Sequence, residues 1–210
     1  MAVIKVRLDD LSPLLMHNPR SANPLHSLNI EKKKITSKGR KMTEKDQLDL
    51  LELDYRVGLY HDEIIGPYIA AEMLEASIRN AARKSRKGKD IQTGVMVTPE
   101  LVPLQYQGPR DVAGLLKAEE LRDIRMVSVN MGKAKTLRCR PRFNNWSLEF
   151  DIHYDPSQVS ESFVIESLCI AGKLCGIGDN RPRYGRFTVK VLSSAADPSE
   201  LVGQQDEDVA

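Results

Sequence analysis

The chain joins an apolar, helix-like run to its last strand-like run through the segment Gly176-Ile177-Gly178-Asp179-Asn180-Arg181-Pro182-Arg183-Tyr184-Gly185-Arg186-Phe187. This segment combines three glycines with three arginines. Glycine lets the backbone approach a ligand closely and adopt positive φ, and clustered backbone N–H groups and guanidinium forks suit phosphate oxygens. The segment therefore indicates a site for a polyanion; a tight turn with solvated arginines is the alternative.

Charge is segregated along the chain. The 210 residues are enough for one large domain, or for a small domain with sizeable insertions, and the formal net charge is only +2. Basic residues nevertheless cluster in the stretches 32–41, 79–89 and 125–142, whereas acidic residues gather in 44–63 and 200–208. Such segregation favours a polyanion-binding face, although each run alone also fits a solvated surface.

The cysteines and the hydropathy pattern indicate the compartment. Cys139, Cys169 and Cys175 form no CxxC pair and no zinc-type spacing, and an odd count without a framework is typical of a reducing compartment. No apolar run approaches the ~20 residues of a membrane span, and no signal-peptide core is present. We therefore expect a soluble, cytoplasmic protein.

Asp9 and Asp10 have no evident third metal ligand, so no metal and no cofactor is predicted.

Hydrophobic periodicity predicts six major elements in the order strand, helix, strand, strand, helix, strand. The strands are predicted at 2–8, 125–140, 146–154 and 186–192, and the helices at 70–87 and 157–175. The strands at 125–140 and 146–154 are expected to form a hairpin across the turn at 141–145. This is the βαββαβ order of an α+β, ferredoxin-like (RRM-like) fold, in which the open sheet face is the usual RNA platform.

Two stretches interrupt this order. Residues 12–42 follow the first strand and contain three prolines and many lysines, which is typical of a long loop or a mobile hairpin. Residues 91–124 form a second insertion after the first long helix, and a shorter helix begins after the N-cap Thr43. We therefore predict a single domain over residues 1–192, followed by a disordered acidic tail over residues 193–210.

Two separate segments resemble one family. The first, Tyr68-Ile69-Ala70-Ala71-Glu72-Met73-Leu74-Glu75-Ala76-Ser77-Ile78-Arg79, is similar to the first-helix motif of the repeat-associated mysterious proteins (the RAMP superfamily), which are linked to CRISPR. The matching positions are Tyr68, Ile69, Leu74 and Arg79. The departures are Ala70, Ala71 and Ala76, which stand where Pro, Gly and Gly are usual. Residues 176–187 resemble the C-terminal glycine-rich loop of the same superfamily, before its last strand.

The resemblance implies both a fold and a role. The family is built from ferredoxin-like domains, and the likeness is to the backbone subunits of CRISPR effector complexes in antiviral defence. Those subunits polymerise along guide RNA, hold it by its phosphates and contact other effector subunits, so the resemblance implies single-stranded RNA, copies of this chain and effector-type subunits as partners. In that family an insertion after the first strand forms a thumb-like hairpin, here residues 12–42. The three alanines indicate a divergent member, and a phage or mobile-element relative is one interpretation.

The predicted RNA-binding residues come from the strand at 125–140, the first helix and the glycine loop. Arg138, Arg140 and Arg142 have a period of two and share one strand face, whereas Lys133 and Lys135 join it only across a bulge. Three cations on one face need an anion, open water or acids brought in by the fold. The full set is Arg79, Lys133, Lys135, Arg138, Arg140, Arg142, Gly176, Gly178, Arg181, Arg183, Tyr184, Gly185 and Arg186.

Several of these positions have structural alternatives. Phe143, Trp146 and Tyr184 lie near arginines and are candidates for stacking on bases. Core packing is the alternative for Phe143 and Trp146. Arg79 is expected either to reach a phosphate or to pair with Glu75 one helical turn earlier.

Two other functions remain open. Some RAMP proteins are metal-independent endoribonucleases that use a histidine, and His17 and His26 in the basic loop are the candidates for a general base. No histidine lies at a recognisable catalytic spacing, so a binding module is favoured over an enzyme. The third function is that of a phage-encoded mimic or inhibitor of CRISPR effector subunits, which binds effector proteins rather than free RNA.

Overall fold

The computed structural model describes residues 1–129 and 134–194. Its strands and helices are, in chain order, β1 (Ala2–Asp10), β2 (Leu14–Leu15), α1 (Ser27–Thr36), α2 (Glu44–Gly58), β3 (His61–Asp62), β4 (Gly66–Ala70), α3 (Ala71–Ala82), α4 (Gly88–Gly94), β5 (Val95–Thr98), β6 (Leu101–Pro103), α5 (Val112–Lys117), β7 (Arg122–Val129), β8 (Ala134–Phe143), β9 (Ser147–Tyr154), α6 (Glu161–Ile170) and β10 (Phe187–Ser194). A π-helical turn, Ala171–Cys175, extends α6 toward the glycine loop.

A four-stranded antiparallel sheet with the strand order β10-β1-β9-β5 lies at the centre of the fold. Helices α3 and α6 pack against each other and cover one face of this sheet. The elements β1, α3, β5, β9, α6 and β10 therefore form the βαββαβ frame, with the last strand beside the first and the second strand at the far edge. The predicted α+β, ferredoxin-like fold is confirmed.

Alternating side chains explain why these strands form a sheet with one dry face. In β1, Ile4, Val6 and Leu8 are fully buried, whereas the residues between them face outward. In β9, Phe150 and Ile152 are buried in the same register. Strands have a side-chain period of two, so each buries one face against the helices. The same core contains the apolar stripes of α3 and α6.

The second strand of the frame differs from the prediction. The sequence pattern placed it at 125–140, but β5 occupies that position and pairs with β9. The longer segment divides into β7 and β8, which pair with each other rather than with β9. An edge strand needs few residues, and the four residues of β5 bury Val95 and Val97. The alternation within such a short strand gives too weak a signal to compete with the longer run. The long insertion therefore lies between β5 and β9.

Residues 12–42 contain a helix in place of the expected loop or hairpin. This stretch includes β2 and α1, and α1 packs against α2. The Arg20 guanidinium donates to the carbonyl oxygens of Arg56, Val57 and Leu59 at 2.7, 3.1 and 2.7 Å, where α2 ends. These bonds satisfy carbonyl groups that a helix end leaves open, and they attach the lysine-rich segment to the rest of the fold.

The other predicted boundaries also change. Residues 91–124 include β5, β6 and α5, so this stretch supplies one strand of the central sheet. The acidic tail was predicted from residue 193, but Ser193 and Ser194 belong to β10; residues 195–210 lie outside the described range. Across residues 1–129 and 134–194, no helix has the length and apolar character that crossing a membrane requires.

Candidate nucleic-acid interface

The predicted arginine face belongs to a second, three-stranded sheet with the order β2-β8-β7. On β8, Cys139 and Phe143 are buried in the core, whereas Arg138, Arg140 and Arg142 are half-buried on the opposite face. The period of two therefore predicted correctly that these arginines share a face. We call β7 and β8 the hairpin.

Lys135 does not join this face. The pairing of β7 with β8 runs without a register shift from Arg122 opposite Pro141 to Val129 opposite Ala134. Without a bulge, Lys135 shares the face of Cys139 and is exposed there, away from the arginines. Lys133 lies outside the described residues.

The fold brings acids to the arginine face. Arg138 Nη1 lies 3.3 Å from each carboxylate oxygen of Asp54, which also pairs with Lys32 of α1. Arg140 Nε lies 2.5 Å from Asp179 Oδ2 in the glycine loop. The sequence showed no acid near these arginines and left an anion, open water or acids brought in by the fold as alternatives; the last of these applies at Arg138 and Arg140. Each is paired with an acid that is distant in the chain.

The remaining arginines of this face differ in their partners. Arg142 Nε donates to the amide oxygen of Asn144 at 3.2 Å, so its partner carries no charge. Arg125 stands directly opposite Arg138 on β7 and pairs with Asp123 on its own strand. Hydrogen bonds that Arg125 donates to the Asp123 carboxylate raise the pKa of Arg125, which keeps this guanidinium charged.

The glycine loop is attached to the N-terminal part of the chain by its backbone. Asp179 N–H donates to the Leu15 carbonyl and Gly185 N–H to the Pro13 carbonyl, both at 2.8 Å. Gly176, Gly178 and Gly185 have φ values of 69, 79 and 71°. A Cβ on Gly178 would lie 2.3 Å from the Leu15 carbonyl oxygen. The glycines thus allow close approach of the chain to itself.

The three arginines of the loop occupy different environments. Arg181 and Arg183 are exposed, and neither has an ion-pair partner within residues 1–129 and 134–194. Arg186 is half-buried. Its backbone N–H donates to Ser12 Oγ at 2.9 Å, and its side-chain Nε has no hydrogen-bond partner in the described part of the chain. Arg181 and Arg183 are therefore the loop cations with the freest access to an anion.

The aromatic candidates are engaged within the protein. The Tyr184 ring lies 5.1 Å from the Arg125 guanidinium carbon, and Arg125 Nη2 donates to its hydroxyl at 2.9 Å. Phe143 and Trp146 are fully buried, and Trp146 Nε1 donates to the Ser12 carbonyl at 3.0 Å. Core packing, the alternative weighed for these two residues, is confirmed. Base stacking by Phe143 or Trp146 is excluded by their burial.

The two segments that resemble the RAMP motifs touch each other. Ser77 Oγ on α3 donates to the Gly176 carbonyl at 2.9 Å, and both groups are buried. Arg79 lies near the end of the same helix, and its Nε is buried without a hydrogen-bond partner among the residues that the structure describes. The alternative partner Glu75 instead accepts from Val97 N–H at 2.9 Å. The predicted pair of Glu75 with Arg79 is therefore not formed.

A continuous groove joins the hairpin to the glycine loop. Three cavities of about 330, 410 and 450 Å³ follow one another. The first two share Val127 and Arg140, and the last two share Asp179 and Asn180. The charged residues of their walls are Lys32, Arg125, Arg138, Arg140, Arg181, Asp54, Asp123 and Asp179. This hairpin–loop groove therefore has an excess of positive charge.

His17 lies in the groove with both ring nitrogens engaged. Arg140 Nη1 donates to Nδ1 at 2.8 Å. A guanidinium only donates, so the ring hydrogen is on Nε2, which lies 3.2 Å from Ser21 Oγ. Although His17 is exposed, the loss of solvation at the cavity wall, followed by the charge of Arg140, lowers its pKa. In this arrangement His17 has no free lone pair for use as a general base.

The second histidine candidate has a structural role. His26 is the N-cap of α1, and its Nδ1 accepts from Leu28 N–H at 3.3 Å. No contact joins it to His17 among the described hydrogen bonds. In residues 1–129 and 134–194, no three side chains of the His, Cys, Asp and Glu types come together as a metal site would require.

The outer face of the central sheet offers little to a nucleobase. Arg7 on this face pairs with Glu149 at 2.9 Å and with Asp9 at 2.8 Å. The sheet aromatics Phe150 and Tyr154 are buried on the opposite face, against the helices. RNA-recognition folds bind bases by stacking them on aromatic side chains of the open face. The expected sheet platform is therefore not formed by these strands.

The groove also contains residues that the sequence prediction missed. Asp54, Lys32 and Asn180 line it without having been chosen as site residues. Asn180 was part of the quoted loop, and Lys32 was part of a basic cluster, so both had a local signal. Asp54 had none, because its approach to Arg138 depends on how α2 packs against β8.

Comparison with known proteins supports the fold. The chain matches no family model and no curated protein. Its fold is similar to that of a chain in the cryo-EM structure of the Type III-B Cmr-beta bound to cognate target RNA, with a TM-score of 0.53 and 12% sequence identity. The similarity covers 90% of this chain and 60% of the Cmr-beta chain. At this identity the likeness shows a shared fold, and that fold fits the one implied by the RAMP resemblance.

Proposed function

We propose that this chain binds single-stranded RNA by its phosphates, as a backbone-type subunit of a CRISPR-like ribonucleoprotein. In this proposal, copies of the chain lie side by side along the RNA and contact other effector-type subunits. The observation that supports it best is the hairpin–loop groove. There, cations from α1, the hairpin and the glycine loop line three connected cavities.

The chemistry of the groove suits a sugar–phosphate chain better than a base-reading surface. Lys and Arg neutralise phosphates and release counterions, which gives an affinity that tolerates sequence and falls with salt. The aromatics near the groove are buried or held by Arg125, so base stacking contributes little. The fold is also shared with a chain from a complex that was solved with its cognate target RNA. These points together favour phosphate binding.

The test uses three loop and hairpin cations that have no acidic partner among the described residues. Arg181 lines the groove, and Arg142 and Arg183 each lie two residues from a groove-lining arginine, Arg140 and Arg181 respectively. We expect the triple variant Arg142→Gln, Arg181→Gln, Arg183→Gln to bind unstructured RNA about tenfold more weakly at low salt. The slope of log affinity against log salt should decrease by about 2, since each lost single-strand phosphate contact accounts for about 0.7. Fluorescence anisotropy with labelled RNAs of different sequence measures both quantities.

A matched control removes the same charge elsewhere. Lys5, Lys45 and Lys117 are exposed on β1, α2 and α5 and line none of the three cavities. Their triple change to Gln should leave RNA affinity within about twofold, because only bulk charge is lost. Equal losses in the two triple variants would contradict a phosphate site in the groove.

A protein-binding role is the second candidate. Ile124, Met126 and Leu137 lie on the face of the hairpin that also carries Cys139, opposite the arginines, and are 49, 57 and 41% exposed. Contiguous exposed apolar side chains are typical of protein contacts. Absence of RNA binding by the wild-type chain at low salt would favour this role over the first.

A further inference from the structure

Asp179 occupies the position in the hairpin–loop groove that an external anion would take. Its Oδ2 lies 2.5 Å from Arg140 Nε, and the two side chains are only 29 and 21% exposed. Asp179 lines both cavities that meet at the glycine loop. Guanidinium groups bind carboxylate and phosphate oxygens with the same fork geometry. The carboxylate therefore stands where a phosphate oxygen fits.

The surroundings of Arg140 fix the direction in which it presents its N–H groups. His17 Nδ1 accepts from Arg140 Nη1 at 2.8 Å, which leaves the Nε side of the guanidinium facing Asp179. Arg138 projects from the same face two residues earlier, and Lys32 lines the same cavity. Both of these cations share the single carboxylate of Asp54. Positive charge around Arg140 therefore exceeds the negative charge available from its neighbours.

The loop backbone, and not the ion pair alone, places Asp179. Its N–H donates to the Leu15 carbonyl at 2.8 Å. The flanking residues Gly178 and Asn180 have φ values of 79 and 55°, which fix the turn on either side. The carboxylate can therefore be removed while these backbone contacts remain in place.

We propose that Arg140 is a phosphate subsite of the groove and that Asp179 is its built-in competitor. A non-bridging phosphate oxygen of a single-stranded nucleic acid binds Arg140 by displacing the Asp179 carboxylate. This inference rests on the proposed function of the groove and adds to it a residue that weakens binding. Breaking the ion pair costs free energy, and the displaced carboxylate repels the phosphate, so both effects reduce the affinity.

The variant Asp179→Asn tests this directly, with inorganic tripolyphosphate and labelled RNA as separate probes. We expect it to bind each probe about fivefold more tightly than the wild type. For RNA, the slope of log affinity against log salt should steepen by about 0.7, the value for one added phosphate contact. In the background of Arg140→Gln, Asp179→Asn should bring no gain, because the subsite is absent.

Two further variants keep the test interpretable. Glu166→Gln on α6 removes one negative charge from an exposed position outside the groove and should change neither affinity by more than about twofold. Asp179→Ser repeats the neutralisation with a different side chain, and thermal unfolding confirms that each variant is folded. If Asp179 served only to position Arg140, its neutralisation would weaken binding.

The tripolyphosphate titration separates the two proposals. A gain with tripolyphosphate, accompanied by no RNA binding in any variant, supports the subsite and overturns the RNA function. Unchanged or weaker tripolyphosphate binding by folded Asp179→Asn and Asp179→Ser overturns the subsite, even if the wild-type chain binds RNA.

Discussion

Gly185 lies where the glycine loop touches itself most closely. A Cβ at this position would lie 1.8 Å from the Ile177 carbonyl oxygen, and φ is +71°. Gly185→Ala therefore combines left-handed backbone strain of about 1–3 kcal/mol with overpacking of about 1–3 kcal/mol. We expect the melting temperature to fall by about 10 °C, as measured by circular dichroism.

Gly39→Ala is the matched control for this change. Gly39 also has positive φ, +55°, but a Cβ there would meet nothing within 4 Å. Gly39→Ala should incur only the backbone strain, so its melting temperature should fall less than that of Gly185→Ala. Equal losses in the two variants would mean that contact with Ile177 does not hold the loop.

His17 gives the stability of the protein a specific pH dependence. Loss of solvation at the cavity wall and then the charge of Arg140 lower the pKa of His17, with Lys32 acting in the same direction and Asp179 and Asp54 opposing. The folded state therefore binds fewer protons than the unfolded state. The stabilising contribution is complete above the ordinary histidine pKa of 6.5 and is lost as the pH falls through the lower folded pKa.

The variant His17→Asn isolates this contribution. Asn supplies an amide oxygen that can accept the hydrogen bond from Arg140 in place of the ring nitrogen, and its side chain does not titrate. We expect the free energy of unfolding of the wild type to fall more steeply than that of His17→Asn between pH about 7.5 and about 5.5, as measured by urea titration. Parallel pH profiles would show that His17 is not the group responsible.

The described side chains in the outer half of the hairpin contribute little to the core. β8 packs against α2, whereas β7 packs chiefly against β8. Arg125 and Arg138 stand directly opposite each other, so residues 126–137 can be replaced by a two-residue Asn-Gly turn. We expect the shortened protein to melt within about 3 °C of the wild type, because Met126 and Leu137 are already 57 and 41% exposed.

The same shortened protein should bind RNA less well, since Val127, which lines two of the groove cavities, is removed. A length-preserving control, Leu137→Thr, changes an exposed apolar residue that lines none of the three cavities and should retain affinity. A shortened protein that binds RNA as tightly as the wild type would place the binding surface elsewhere on the molecule.

Local patterns predicted the elements that make up most of the frame. The alternation in β1 and β9 and the apolar stripes of α3 and α6 identified buried faces correctly, because these patterns are set by neighbours in the sequence. The N-cap Thr43 was also correct, and Asp46 completes a capping box there. The short edge strand β5 was assigned to the insertion at 91–124 rather than to the central sheet, since four residues carry little periodic signal. Helix α1 was missed because its lysines and the nearby prolines are typical of a loop.

The site was less predictable than the fold. The shared face of Arg138, Arg140 and Arg142 followed from their spacing, but the acids that neutralise two of them did not. Asp54 and Arg138 are separated by 84 residues, and Asp179 reaches Arg140 from the next-to-last segment of the fold. Such pairs are fixed by tertiary packing, which no local pattern encodes. For the same reason, the sequence could not show that Tyr184 is held by Arg125.

Backbone hydrogen bonds between residues 11–15 and the glycine loop join two segments that are far apart in the sequence. Leu11 and Ser12 donate to the Arg186 carbonyl at 2.8 and 3.3 Å, and Gly185 donates to the Pro13 carbonyl. Contacts between such distant residues form late, because the loop-closure entropy must be overcome first. During synthesis on the ribosome, one wall of the groove is therefore missing until residues 176–187 have emerged. Under the proposed function, a nascent chain cannot bind RNA in this groove before that point.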